Sequence, residues 1–259
     1  MYVAGNDIGS IYSKAVILKD NQVAASLVKR TGGEIKAISY RLMDEVLAPL
    51  GLQIEDLKSV IATGYGRISV PFAEKQVTEI SCFGRGMAHL YPEVRTVVDI
   101  GGQDSKGIKI NEHGNVDDFV MNDKCAAGTG RFLEVMANAL EVNLEDMGML
   151  ARQSKAPEEI GITCTVLAES QVISLVGEGR LKVDIIAGLH RAIAERIYGM
   201  LKMLRIEERV AITGGGAKNI GLVKELEKKL GTRVIVPEEP QLMGAYGAAL
   251  FALELAQNK

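Results

Sequence analysis

The sequence predicts an α/β protein of two similarly built lobes. Three observations predict it. A signature occurs twice: residues 7–14 read DIGSIYSK and residues 99–106 read DIGGQDSK. Strand-length apolar runs alternate with stretches of helical periodicity along all 259 residues, the rhythm of a layered α/β fold. No low-complexity linker interrupts that rhythm, so the lobe boundary is expected near 92–96. The expected division is 1–95 for the first lobe and 96–246 for the second, with a closing helix, about 247–259, packing back on the first.

Each copy of the signature opens with a strand that ends in Asp-Ile-Gly, and a returning strand begins at Ala15 or Gly107. Polar turns at Lys19–Asn21 and Asn111–Gly114 lead to a third strand starting at Val23 or Val116. In the first lobe, Ile35, Ile38, Leu42, Val46 and Leu47 share a helical face over 34–50, and Gly51 supplies a stop. Leu57–Ala62 reads as a strand entering the Thr63-Gly64-Tyr65-Gly66 loop, and a helix is predicted over 72–89. In the second, Arg95–Ile100 is a strand. Helices are predicted at about 128–140, 144–153, 165–176 and 184–204. Val210–Thr213 reads as a buried strand before Gly214-Gly215-Gly216. A helix over 219–230, a last strand at Arg233–Val236 and a helix over 241–257 complete the chain.

The duplicated loops suit phosphate. Gly9 and Gly101 lack a Cβ, so the backbone can turn its N–H groups toward an anion. Ser10, Ser13, Ser105 and Gly102 add donors, and Lys14 and Lys106 are placed either to meet phosphates or to face solvent. Asp7 and Asp99, each at a strand end, are natural partners of Mg²⁺ through its waters. Gln103 and Asp104 follow the second loop, where they could position a water for hydrolysis; Asp104 could instead be a turn residue. The Gly214–Gly216 run between strand and helix permits close approach of a nucleotide, and beside two phosphate loops adenosine is the better reading. Glu238, after the next strand, keeps a dinucleotide fold open as an alternative. Glu134 and Asp184 lie on helices near these motifs and are candidates to touch ribose.

A net charge of −3 gives no reason to expect nucleic acid or a membrane surface as partner. No leader-like segment and no membrane-length apolar run is evident, so a soluble, cytoplasmic protein is expected. Three cysteines make no disulfide framework, and no Cys-x-x-Cys pair makes a compact metal motif. Cys125 and Cys164 each precede a predicted helix, where a helix N-terminus favours thiolate; ordinary burial is the competing explanation. Cys82, within a helix, reads as core.

Asp7-Ile8-Gly9-Ser10, Asp99-Ile100-Gly101-Gly102 and Thr213–Gly216 together resemble the two phosphate motifs and the adenosine motif of the actin, Hsp70 and sugar-kinase superfamily. Within it, Asp99–Asp104, Asn122–Arg131, Thr63–Arg67 and Thr163–Ser170 resemble the activators of 2-hydroxyacyl-CoA dehydratases, which are grouped with the ATPase subunits of benzoyl-CoA reductases. The resemblance implies a two-lobed ATPase fold with duplicated ribonuclease H-like domains. It also implies ATP/ADP and Mg²⁺ binding, and one [4Fe–4S] cluster shared across a homodimer through Cys125 and Cys164 of each chain. By the same token Gly128, Thr129, Glu134 and Asn219 join Gly214, Gly215 and Gly216 at the nucleotide. The implied activity is ATP-driven electron transfer from ferredoxin or flavodoxin to an iron–sulfur dehydratase or reductase. A cluster-free small-molecule kinase and a nucleotide-dependent scaffold remain the alternatives.

Overall fold

The computed structural model describes residues 1–161, 164–207 and 209–259, and these form two compact units. The first holds 1–97, 109–117 and 241–259, and the second holds 98–108 and 118–240. The closing helix is therefore part of the first unit.

The first unit is built on a five-stranded sheet in the order β3-β2-β1-β4-β5. Its strands are β1 Tyr2–Ile8, β2 Tyr12–Lys19, β3 Gln22–Arg30, β4 Val60–Thr63 and β5 Lys75–Gln76. The first three form an antiparallel meander, and β4 and β5 run parallel to β1. Alternation along β1 gives its two faces different tasks. Ala4 and Ile8 join Leu42, Met43, Val46 and Leu47 of helix α1 (Ile35–Leu47) in one core cluster. On the other face Gly5 admits the backbone of helix α8 (Met243–Gln257); a Cβ at Gly5 would stand 2.0 Å from the Ala245 carbonyl oxygen. A 3₁₀ turn, Ala48–Leu50, follows α1 and stops, as the sequence indicates, at Gly51 with φ 65°.

Helix α2 (Glu79–Leu90) begins seven residues later than the periodicity suggests. Lys75 and Gln76 pair with Ile61 and Ala62 as the short edge strand β5. Thr78 then caps the helix, its hydroxyl accepting from the Ser81 amide. A local cap and a sheet edge outweigh the apolar spacing of 72–78.

The second unit repeats the plan. Its sheet, of which Thr96, Val97, Lys109, Ile110, Val116 and Asp117 group with the first unit, has the order β8-β7-β6-β9, built from β6 Thr96–Ile100, β7 Ser105–Ile110, β8 Val116–Asn122 and β9 Val210–Thr213. Strand for strand this is the order of β3-β2-β1-β4. Helices α3 (Gly130–Ala139), α4 (Met147–Ala151), α5 (Thr165–Gly177), α6 (Lys182–Leu201) and α7 (Ile220–Leu230) complete it. Phe132, Met136, Ile185, Leu189 and Ile193 sit with Val98, Ile100 and Ile212 in one apolar core. The strand expected at 233–236 shrinks to one parallel bridge, Ala211 with Ile235. It lies between the left-handed Gly231 and Pro237, which leaves little extended chain to pair.

Candidate functional site

Each unit carries a carboxylate where its central strand ends. Asp7 is the register partner of Lys14 across the β1–β2 hairpin and of Thr63 on β4. The Lys14 Nζ lies 3.0 Å from Asp7 Oδ2. In the second unit Lys106 Nζ lies 2.8 Å from Asp104 Oδ1 and 3.8 Å from Asp99 Oδ2. The sequence leaves both lysines open between phosphate and solvent; both turn to carboxylates. Lys106 is 1% exposed, against 16% for the side chain of Lys14. A buried ammonium is tolerated only with opposite charge beside it, and Lys106 has two carboxylates where Lys14 is shown with one. The cause is a single divergence between the copies: the position of Asp104 is Tyr12 in the first.

Behind each carboxylate stands a second duplication. Thr63-Gly64-Tyr65-Gly66 follows β4 as Thr213-Gly214-Gly215-Gly216 follows β9. Gly64 has φ 84° and Gly214 φ 82°. A Cβ on Gly64 would stand 2.4 Å from Asp7 Oδ1 and 2.6 Å from the Ile8 oxygen. On Gly214 it would stand 2.7 Å from Asp99 Oδ1 and 2.4 Å from the Ile100 oxygen. Both glycines therefore have two reasons to be glycine, left-handed backbone and contact with a carboxylate. Thr213 adds a 3.1 Å bond from its hydroxyl to Asp99 Oδ1. Gly216 packs on Ile100, and Gly215 alone of the run is exposed. The repeat is legible in the letters Thr-Gly-x-Gly, yet the sequence reading takes only the second copy as a ligand loop.

The loops themselves are tight. A Cβ on Gly9 would meet the Tyr12 oxygen at 2.5 Å and Lys14 Nζ at 3.1 Å, and one on Gly101 would meet Asp104 Oδ1 at 2.7 Å. Ser10, Gly101 and Gly102 are half-buried, and Gln103 is exposed at the tip of its loop. Ser13 is turned inward: it donates to Thr31 Oγ1 at 2.9 Å, and that hydroxyl donates to the Gly9 oxygen at 2.7 Å. Its hydroxyl braces the first loop from within, a role that sequence reasoning missed along with Thr31. Ser105 is likewise buried, and its hydroxyl donates to the Gly128 oxygen at 2.6 Å.

Other expected nucleotide contacts separate into two groups. Gly128 (φ 94°) and Thr129 lie directly against the second loop, since the next two amides, of Gly130 and Arg131, each donate at 2.8 Å to the oxygens of Gly101 and Gly102. The Thr129 hydroxyl donates to the Ala126 oxygen at 2.6 Å. Glu134 is one turn along α3 and pairs with Arg131 at 3.1 Å. Asn219 and Asp184, by contrast, are structural. Asn219 caps α7, accepting from the Gly221 and Leu222 amides at 3.1 Å, and its Nδ2 lies 2.9 Å from His190 Nε2. The Asp184 carboxylate accepts from the Ser154 hydroxyl at 2.6 Å and from the amides of Lys155 and Ala156. Asn219 thus caps a helix and Asp184 holds a loop, tasks that the sequence reading did not give them.

The cysteines differ in setting. Cys82 is fully buried, and burial pushes its thiol up to about 12. Cys125 is half-buried and Cys164 exposed. Cys164 stands directly at the start of α5, its carbonyl accepting from the Ala168 amide. Cys125 lies five residues before α3, in a loop closed by Asn122 Nδ2, which donates to the oxygens of Cys125 and Ala127 at 2.9 and 3.2 Å. The helix-start setting thus holds for Cys164, while Cys125 belongs to the loop that leads to one. Thr163 of the motif around Cys164 lies outside the described residues. Among those described, no group of three or more His, Cys, Asp or Glu side chains could hold a metal ion within one chain. Two cysteines that are not fully buried, Cys125 and Cys164, fit a cluster completed by a second copy. The lysine-paired Asp7 and Asp99 fit Mg²⁺ held through water.

Residues 4–252 match the BadF/BadG/BcrA/BcrD ATPase family. The chain is 47% identical over 261 residues to an activator of lactoyl-CoA dehydratase of Anaerotignum propionicum, covering 100% of both chains. It is 43% identical over 258 residues to a 2-hydroxyisocaproyl-CoA dehydratase activator of Clostridioides difficile, covering 100% of this chain and 97% of that one. The solved structure of that activator with bound ADPNP superimposes with a TM-score of 0.95, covering 100% of this chain and 96% of the other. A Streptomyces griseus ROK glucokinase, at 13% identity and TM-score 0.61 over 98% and 100% of the two chains, shares the fold. The fold is that of the actin, Hsp70 and sugar-kinase-like ATPases.

Proposed function

The chain belongs to the BadF/BadG/BcrA/BcrD ATPase family, and from that premise we propose that it is the ATP-dependent iron–sulfur electron donor of a partner enzyme of the 2-hydroxyacyl-CoA dehydratase kind, with ferredoxin or flavodoxin upstream. One observation carries the reading beyond ATP hydrolysis. Of three cysteines, only Cys82 is fully buried; Cys125, half-buried against the core, and Cys164, exposed, lie in the unit that also bears the second phosphate loop.

The roles follow from the surroundings of each side chain. Ser10, Gly9 and Gly102 present backbone and hydroxyl donors to phosphate oxygens, and Gly101, whose amide donates to the Asp104 oxygen at 3.0 Å, holds the second loop in its turn. Lys14, the more open of the two lysines, can turn from Asp7 toward an added anion. Asp7 and Asp99 would hold hydrated Mg²⁺, which would screen the polyphosphate charge. Gln103, exposed at the loop tip, orients the attacking water, with Asp104 fixed beside it by Lys106. The Gly214–Gly216 turn takes adenosine at its exposed Gly215. Cys125 and Cys164 would hold one edge of a [4Fe–4S] cluster, which supplies low-potential one-electron chemistry when bound. Exposed Val166, Leu167 and Ile173 on α5, the helix that begins at Cys164, support a homodimer that covers them and completes the ligand set. No helix among the described residues is long and apolar enough to cross a membrane, in keeping with a cytoplasmic site of action.

The test is phosphate release from MgATP by the purified chain, alone and with a panel of small-molecule acceptors. Release without acceptor is expected. Phosphorylated acceptor would make the chain a kinase, and no turnover under either condition would make it a scaffold.

A further inference from the structure

The duplicated serine of the signature is used differently in the two units. In the first, Ser13 closes on its own meander: through Thr31 it reaches the Gly9 oxygen, so the loop is braced by the hairpin that made it. In the second, Ser105 reaches 23 residues along the chain to the Gly128 oxygen. That oxygen belongs to the loop which starts at Cys125 and ends at the first turn of α3. The same loop is tied on its other side by the two 2.8 Å bonds from Gly130 and Arg131 to Gly101 and Gly102. From the Cys125 end, Asn122 holds the carbonyls of Cys125 and Ala127. The phosphate loop and the cysteine loop therefore share one set of hydrogen bonds, with Ser105 at its centre and 1% exposed.

We propose that Ser105 is a positioning residue that couples the nucleotide state of the 101–104 loop to the 125–130 loop bearing Cys125. The proposal rests on the nucleotide reading above and adds the route. An anion that draws the Gly102 amide pulls on the Gly101 carbonyl of the same peptide, which already accepts from the Gly130 amide, and Ser105 makes strand β7 and the cysteine loop move as one body. Coupling in this sense is a free energy shared by two sites, and its warrant is an equilibrium that both sites bias. A cavity of about 240 Å³ lies beside the bond, lined by Ser105, Met121, Asn122, Arg196 and Met200 among others. It gives the loop room to shift, and unbranched methionines can follow such a shift without strain.

Amide hydrogen exchange on the full-length chain, with and without Mg·ADPNP, reads this directly. In the parent, nucleotide is expected to slow exchange both at 101–104 and at 122–131, the latter by about tenfold, a typical coupling magnitude. Ser105→Ala should keep the protection at 101–104 and reduce that at 122–131 to under about twofold. Ser105→Thr, whose hydroxyl is retained and whose extra methyl the cavity can take, should restore it. A purely structural serine would instead loosen 122–131 equally with and without nucleotide, which contradicts the proposal. So does Ser105→Ala with parental coupling, or a parent protected only at 101–104. A parent with no protection at 101–104 overturns the nucleotide reading itself.

Discussion

At the scale of single residues, the paired signatures expose what each position is for, because the second copy serves as a control for the first. Asn6 precedes Asp7 as Val98 precedes Asp99. Asn6 is fully buried, on the β1 face that carries Ala4 and Ile8, and neither of its side-chain polar atoms has a partner. An amide buried unpaired costs about 1–3 kcal/mol. Asn6→Val, which copies the other unit at nearly equal volume, should therefore raise the urea midpoint by about 1 kcal/mol of stability; an unchanged or lower midpoint would mean that the amide is needed. Asp7→Asn and Asp99→Asn should leave far-UV circular dichroism intact and cut MgATP turnover by about tenfold or more, roughly 1.4 kcal/mol at the barrier. Gln103→Ala should lower turnover more than ADP affinity, measured by titration calorimetry. The carboxylates and glycines were legible in the letters, whereas the residues alone left ordinary burial open for Cys125 and Cys164. The partners of the lysines and serines were not, since alternation along a strand gives a side chain's face but not the loop it meets.

At the scale of elements, repetition and periodicity predicted nearly every strand and helix, and failures came where a local cap or edge decided the matter. Helix α2 starts at the Thr78 cap and not at 72. Asn219 is the instructive case. The family resemblance puts it at the nucleotide, but its side chain caps α7 and lies against His190. No sequence pattern reveals that pairing across 29 residues. His190 is fully buried, and burial brings its imidazole down to about 4. The native state thus refuses a proton that the unfolded chain accepts below its ordinary value near 6.5. Stability is unaffected above that pH and falls as pH drops from about 6.5 toward 4, by about 1.4 kcal/mol per unit and about 3 kcal/mol in all. Urea midpoints of His190→Gln against pH should lack about one proton's worth of this slope; a slope equal to the parent's would contradict the assignment. Asn219→Ala should cost about 1 kcal/mol for the lost cap, with ADP affinity unchanged.

At the scale of the whole molecule, the sequence announced a duplication, and the repeated strand order β3-β2-β1-β4 and β8-β7-β6-β9 is its physical form. Each half contributes the same carboxylate, glycine loop and Thr-Gly-x-Gly turn, but only the second carries cysteines that are not fully buried. That asymmetry is the ground on which an electron-transfer function is proposed beside ATP hydrolysis, and the exposed apolar face of α5 is the ground on which a dimer is proposed. The most direct measurement is iron and acid-labile sulfide per chain in anaerobically purified protein whose mass is fixed by sedimentation. About two irons and two sulfides per chain, in a dimer, are predicted for a shared cubane. They should be lost in Cys125→Ala and in Cys164→Ala and kept in Cys82→Ala. A monomer with a full cluster, an iron-free parent, or a cluster that survives loss of Cys125 or Cys164 would contradict the account.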